Sequence, residues 1–324
     1  MSMTKVGVIT NPGSQKNKKG LGELERLLDG TPDASHVVLQ SITDIPEILK
    51  DFARREVGLV TVAGGDGTVQ AVLTELYGQR PYETAPTLAV VPRGMTNMIA
   101  ADVGLRRRGS LAKMLKKATD GDLEEVSVVR RILRLENALN HQPLYGMFFG
   151  GAGINRAIEA CRAKVHPYKL EADIAAGFTL AGLLWSWLFH SGDGGKGGGT
   201  IFYGDRIAVT LDDQQTEITE SLVILATTLD RLLFGSRPFW NGGAGHMRFT
   251  SIAYPPERML RYAWRLLFGG EQRSLPETSY TSRTVNRIAL EMDCPFTLDG
   301  ELFEPTPGLP VILTAEDQAR FVRL

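Results

Sequence analysis

Read for its apolar and polar positions, the chain opens as a series of strand and helix units. A largely apolar run over 57–63 is followed by Gly64-Gly65-Asp66-Gly67-Thr68, then by Val69, Val72, Leu73 and Leu76 at i, i+3, i+4 and i+7. A short apolar run fits a buried strand and the 3-4 spacing fits a helix with one apolar face, so the stretch predicts strand, glycine turn, helix. Thr68 fits the helix N-cap and Gly78 its C′ stop. The start of the chain has the same form: a strand over 5–10, a loop carrying Asn11, Pro12, Ser14, Lys16, Lys18 and Lys19, and a helix whose apolar face is Leu21, Leu24, Leu27 and Leu28. A second strand over 35–40 leads to a helix over 44–55. A further strand over 87–91 runs into Pro92-Arg93-Gly94-Met95-Thr96-Asn97 and an apolar helix start at 98–101. Repeated strand and helix units of this kind predict a Rossmann-like α/β sheet.

Past residue 123 the period changes to that of strands. They are predicted over 123–135, 144–149, 201–210 and 217–227, with a turn near 137–143. One helix, over 256–268, carries Arg258, Arg261 and Arg265 on one stripe and Leu260, Trp264, Leu267 and Phe268 largely elsewhere. Near the end Phe296 and Leu298 alternate with Thr297 and Asp299, and continued strand geometry would put Glu301 on the side of Asp299. The change of period predicts two domains: α/β over 1–125, completed by 316–324, and an antiparallel β-sandwich over 126–315.

Composition narrows the class. With 324 residues, 43% of them hydrophobic and 23% charged, the chain has the make-up of a soluble globular protein large enough for two domains. A net charge of −1 gives no overall field for nucleic acid, so an anionic partner must meet a local patch. Two cysteines, Cys161 and Cys294, and five histidines without ligand spacing argue against structural zinc and fit a reducing, cytoplasmic setting. No basic-then-apolar leader precedes the first strand, so no signal peptide is expected. The longest uncharged apolar stretch, 174–189, falls short of the ~20 residues of a membrane span and reads as a buried helix or, alternatively, one that touches lipid. Residues 191–199, with six glycines in nine, have loop composition.

The glycine turn carries the first chemistry. Gly64, Gly65 and Gly67 permit unusual backbone angles and leave amide N–H groups open at a helix N-terminus, a site suited to phosphate. Asp66 among them would repel a bare phosphate, which implies a Mg²⁺ bridge, a proton-accepting role or a polar contact elsewhere on a substrate. A tight turn in which Asp66 merely caps the helix gives the same string. Neither GxxxxGK[ST] nor GxGxxG is present, since Gln70 stands at the last position of the latter. The turn over 92–97 is a second phosphate-capable strand exit. Asp299 and Glu301 form a carboxylate pair able to share a metal or divide acid and base work, although a hairpin gives that string too.

GGDGT between a strand and a helix resembles the nucleotide loop of diacylglycerol kinases, sphingosine kinases and NAD kinases. The opening Asn11-Pro12 segment resembles the NPxxGxxxG pattern of lipid kinases, with Gln15 in place of a glycine. Pro92, Gly94 and Asn97 resemble PxGTxN, with Met95 for the threonine and Thr96 next to it. Gly150-Gly151-Ala152-Gly153 is similar to the family's turn at the lipid-binding mouth, and Asp299-Gly300-Glu301 to its late DGE motif. In order and spacing, these motifs resemble the bacterial-type lipid kinases over nearly the whole chain.

The resemblance implies ATP as co-substrate, Mg²⁺ and transfer of the γ-phosphoryl group to a lipid hydroxyl. It implies that Asn11, Gly64, Gly65, Gly67, Thr68, Gly94, Thr96, Asn97 and Glu301 hold the nucleotide, and that Asp66 and Asp299 serve the metal and the proton. The expected partners are a lipid substrate and an anionic membrane surface, the latter met by the arginines of 256–268 and a basic run from 106 to 117. A homodimer stays open, and no nucleic acid is expected. Phe239-Trp240-Asn241-Gly242-Gly243 stands where such kinases carry Asp-Gly, so the structural Mg²⁺ site of some relatives is not expected there. With Met95, that departure motivates one alternative, a binding homologue without turnover. The other is a kinase for a soluble substrate such as NAD, which the missing Asn-Glu pair after GGDGT argues against. The absence of a GxSxG elbow argues against a hydrolase.

Overall fold

The computed structural model describes residues 4–14, 17, 22, 26, 28, 30, 31, 34–105, 109–165, 203–212, 214 and 216–324, with backbone alone for 160–165. Outside the described residues lie Gln15, Lys16, Lys18, Lys19, Leu21, Leu24, Leu27, the basic positions 106–108, the apolar stretch 174–189 and the glycine-rich stretch 191–199. The protein divides into two compact units, Met1–Ile132 with Asp317–Leu324, and Leu133–Glu316.

The first unit is an α/β sheet of β1 (Val6–Thr10), β2 (Ser35–Val38), β3 (Leu59–Gly64), β4 (Thr87–Pro92), β5 (Ser127–Arg131) and the C-terminal strand Gln318–Val322. The strands lie in the order β2-β1-β3-β4-C-terminal-β5, parallel except for β5. β1 and β3 are buried at every position, which explains their unbroken apolar runs. Helices α1 (Ile45–Arg54), α2 (Asp66–Gly78), α3 (Met98–Val103) and α4 (Ser110–Asp120) complete the described part of the unit. Met114, Leu115 and Ala118 of α4 pack with Val6, Val8, Leu59 and Ala89 of the sheet. The chain passes from β1 out to β2 and returns on the other side of β1 to β3. The order therefore reverses between β1 and β3, where open α/β sheets leave a crevice at the carboxyl ends of the strands.

Among its described residues the second unit holds eleven strands: β6 (Leu133–Glu136), β7 (Leu144–Gly146), β8 (Phe148–Ala152), β9 (Asp205–Leu211), β10 (Glu217–Thr227), β11 (Met247–Ala253), β12 (Tyr280–Val285), β13 (Arg287–Glu291), β14 (Phe296–Leu298), β15 (Glu301–Phe303) and β16 (Val311–Thr314). They form one antiparallel sheet in the order β15-β14-β8-β10-β9-β13-β16-β6-β7, with β11 and β12 branching from β10. The sheet curls on itself, so that Leu135, Phe149, Ile207, Ile224, Ile288, Phe296 and Leu313 share one core. The pleat of β10 sends Ile224 and Ala226 into that core. Val223 and Leu225 point to the opposite face, where they meet Ala157 of α5 (Gly153–Val165) and Met259 and Leu266 of α6 (Met259–Phe268). Among the described residues no helix is long and apolar enough to cross a membrane.

Several local expectations are corrected. The run 123–135 is a 3-10 turn, Leu123–Val126, followed by β5 and β6, which belong to different units. The run 144–149 breaks at Met147, whose amide goes to a side chain instead of the ladder. Gly150 to Ala152 are strand, not turn, and Gly153 opens α5. A Cβ on Gly150 would stand 2.7 Å from Cγ2 of Ile154, so this glycine serves close packing.

Candidate functional site

At the reversal point the exits of β1 and β3 are tied together. The Asn11 N–H donates to the Ala63 carbonyl (3.1 Å). The Asn11 side-chain amide donates to Thr68 Oγ1 (2.9 Å), and its Oδ1 accepts the Gly13 N–H (2.9 Å). Asn17, which the sequence reading passed over, is buried and donates to the carbonyls of Asn11 (2.7 Å) and Ala63 (2.9 Å). A second asparagine six residues after Asn11 was the available signal.

Thr68 is not the N-cap of α2: Gly65 holds that position with extended angles, and Asp66 is the first helical residue. Gly78 is the last helical residue and Gln79 the C-cap. The N–H groups of Thr68 and Val69 both donate to the Gly65 carbonyl. The amides of Asp66 and Gly67 thus have no acceptor inside the helix, and they carry the positive end of its dipole.

The second turn leans directly on the first. A Cβ on Gly94 would lie 2.5 Å from the Gly65 Cα, and one on Gly64 would lie 2.7 Å from the Thr68 Cβ. Only glycine lets the two main chains approach this closely. The Arg93 N–H donates to the Gly64 carbonyl (3.1 Å). Asn97, at φ 47°, closes the turn on itself: its Oδ1 accepts the Gly94 N–H (2.7 Å) and its amide donates to the Gly94 carbonyl (2.7 Å). The left-handed position explains an asparagine there.

Asp66 joins the two turns. Oδ2 accepts from Thr96 Oγ1 (2.6 Å) and the Met98 N–H (2.9 Å), and Oδ1 accepts the Ile99 N–H (3.0 Å). The carboxylate therefore caps α3, thirty residues on, rather than its own helix. Burial pushes its carboxyl above the ordinary aspartate range, and the bonds from Thr96, Met98 and Ile99 pull it partway back. Three of roughly four acceptor positions are filled. Among the described residues no cluster of three or more His, Cys, Asp or Glu side chains is placed to hold a metal. One acceptor position of the carboxylate is left, and a Mg²⁺ ion that accompanies phosphates asks for only one or two carboxylates from the protein.

Asp299 and Glu301 lie in the second unit. The strand does not continue through them: Leu298 pairs with Glu301, and Asp299 (φ 49°) and Gly300 (φ 88°) are the two residues of the turn. Positive φ at both positions is the type I′ hairpin that Asp-Gly favours, the alternative that the string itself left open. Asp299 is buried and receives the N–H groups of Met147 and Phe148 (both 2.9 Å), while Glu301 is exposed. A side chain on Gly146 would collide with the Asp299 carboxylate.

Two glycine turns at a reversal point, joined by one aspartate, are the frame on which the sequence comparisons fall. Residues 5–131 match the diacylglycerol kinase catalytic domain. The expected kinship is borne out over this domain, which coincides with the continuous part of the first unit. A diacylglycerol kinase of Bacillus subtilis (strain 168) is 33% identical over 112 residues, 34% of this chain. The chain spans about a third, 36%, of that curated relative's length. The fold of the whole chain is similar to a crystal structure of a diacylglycerol kinase from Bacillus anthracis str. Sterne, with TM-score 0.61 at 16% identity over 100% of this chain and 98% of the other. A second solved chain from that organism gives TM-score 0.66 at 17% identity with the same coverage. The α/β sheet followed by a curled antiparallel sheet is thus the two-domain fold of these neighbours.

Proposed function

We propose that the protein is an ATP-dependent lipid kinase that transfers the γ-phosphoryl group to a hydroxyl of a diacylglycerol-like or sphingoid-base-like acceptor. The observation that carries the reading is the pair of glycine turns held backbone to backbone by Asp66, within the stretch that matches a diacylglycerol kinase catalytic domain. The amides of Gly65, Asp66 and Gly67 meet the phosphates, with Asn11 and Thr68 fixing the first turn and Gly94, Thr96 and Asn97 the second. Phosphoryl transfer asks the protein mainly for position and charge neutralisation. Asp66 would hold a Mg²⁺ ion, which would supply charge neutralisation to the phosphates when bound. The acceptor oxygen forms the new bond to the γ-phosphorus, the bond to the bridging oxygen breaks, ADP leaves, and the hydroxyl proton passes to a carboxylate, Asp66 or Asp299. Glu301 is assigned to the nucleotide. A cytoplasmic protein acting in lipid metabolism follows from this reading.

A second reading, a lipid- or nucleotide-binding homologue without turnover, is favoured by one observation: both aspartates already accept backbone N–H groups. Labelled ATP with Mg²⁺, offered with diacylglycerol, monoacylglycerol, ceramide, sphingoid bases and NAD, separates the readings. A phosphorylated lipid is expected. Phosphorylation of NAD alone replaces the acceptor class, and nucleotide binding without any product selects the second reading.

A further inference from the structure

Helix α6 has two apolar faces. Met259, Ala263 and Leu266 face inward, and Met259 and Leu266 join the core with Trp240 and Tyr280. Outward, at successive intervals of four, stand Leu260 (51% exposed), Trp264 (66%) and Phe268 (37%), with the Trp264 and Phe268 rings 4.7 Å apart. A helix that only packs on its own domain shows one apolar stripe, not two.

The loop Leu233–Gly235 extends this surface. Phe234 is 58% exposed and sits at φ 57°, ψ 22°, a left-handed conformation that is sterically unfavourable for a bulky side chain. The loop is fastened to the end of α6: the Arg237 N–H donates to the Leu267 carbonyl (2.7 Å). The Arg273 guanidinium donates to the carbonyls of Arg265 (2.9 Å) and Gly269 (2.6 Å) on the helix side and of Arg237 (2.9 Å) on the loop side. Phe234 and the outer stripe of α6 are therefore presented together.

The charge around them has one dominant sign. Arg258 at the N-cap of α6, Arg261 and Arg265 on it and Arg237 beside the loop are all exposed, against Glu257, 4.0 Å from Arg258, and Glu271. Tryptophan, phenylalanine and leucine projecting between arginines match the chemistry of a bilayer surface, where rings enter the headgroup boundary and guanidinium groups meet anionic lipid. We propose that the outer face of α6 with the Phe234 loop docks the protein on an anionic bilayer. The proposal goes beyond the kinase reading and does not rest on it, because binding is measured without turnover.

The test is co-sedimentation of the full chain with extruded vesicles of phosphatidylcholine, with and without phosphatidylglycerol. Binding is expected to the anionic vesicles and should weaken as added salt shortens the screening length. Arg261→Gln with Arg265→Gln should reduce the partition coefficient by roughly 25-fold, about fivefold per arginine. Trp264→Glu should reduce it at least about tenfold by placing a charge at the interface. All three positions are exposed, so unchanged circular dichroism and thermal unfolding should accompany the loss. Absent binding, equal binding to neutral vesicles, or binding that survives these variants overturns the proposal. So does a parent protein that ignores vesicles but self-associates in the ultracentrifuge until Trp264→Glu is introduced, which would assign the face to a second copy.

Discussion

Asp66 sits where burial disfavours its charge and three donors converge on it. Its raised pKa means that the folded chain holds this proton more tightly than the unfolded chain does. The stability it contributes is thus complete below the unfolded value near 3.8 and is lost as pH rises through the folded value. Asp66→Ala leaves the Met98 and Ile99 amides and the Thr96 hydroxyl without their acceptor, a cost of about 1–3 kcal/mol for a buried unsatisfied group. Urea denaturation at stepped pH should show the gap between wild type and Asp66→Ala widest in acid and narrowing towards neutrality. A gap that widens with pH would mean that the donors outweigh desolvation. Asp66→Asn keeps the size of the side chain without its charge, and should lower turnover on the acceptor found in the phosphorylation screen by at least about a hundredfold. A carboxylate kept where ionisation is disfavoured is a common mark of a functional site.

Between residue and domain, the hairpin of β14 and β15 shows how one aspartate can organise an element. Asp299 receives two amides from the β7–β8 break, and Gly300 holds φ 88° with open space around the position of a Cβ. Gly300→Ala should cost about 1–2 kcal/mol through backbone strain alone. Asp299→Ala should cost about 1–3 kcal/mol for each orphaned amide, and Asp299→Asn less, since Asn-Gly also suits the turn and retains one acceptor. Equal urea midpoints for Asp299→Ala and wild type would show that the carboxylate has no structural role. The same hairpin marks where the sequence was hard to read. β1, β3 and β4 were legible because strands covered on both faces need unbroken apolar runs, and the two glycine turns because they punctuate those runs. Alternation through Thr297 and Asp299 looked like a strand continuing to Glu301, although Asp-Gly is itself a turn signal. The bonds from Asp66 to Thr96, Met98 and Ile99 were hidden for another reason: contacts thirty residues apart leave no period in the sequence.

At the scale of the whole molecule, the chain enters the first unit twice. The C-terminal strand lies between β4 and β5, with Phe321 opposite Leu88 and Val128, and Ala319, Phe321 and Val322 fully buried. Tyr77 of α2 donates its hydroxyl to the Gln318 carbonyl (2.8 Å). Truncation after Glu316 therefore removes an inner strand. Losing Phe321 and Val322 alone forfeits about 1.5–3 kcal/mol each, before the ladder is counted, against a typical total of 5–15 kcal/mol. The truncated chain should lose cooperative unfolding of the first unit and, by calorimetry, the Mg²⁺-dependent ATP binding that the proposed function entails. The Ile132 N–H donates to the Asp317 carbonyl (3.0 Å), so the two entry points of the chain are neighbours. Residues 1–132 joined to 317–324 by a short glycine-serine linker should then recover a folded α/β unit, since loop closure over so short a span adds little entropy. Recovery of ATP binding by this fusion, with no binding by 1–132 alone, is the expected result. Equal binding by both would mean that the C-terminal strand is dispensable to the site, and binding by neither would mean that the second unit is required for it.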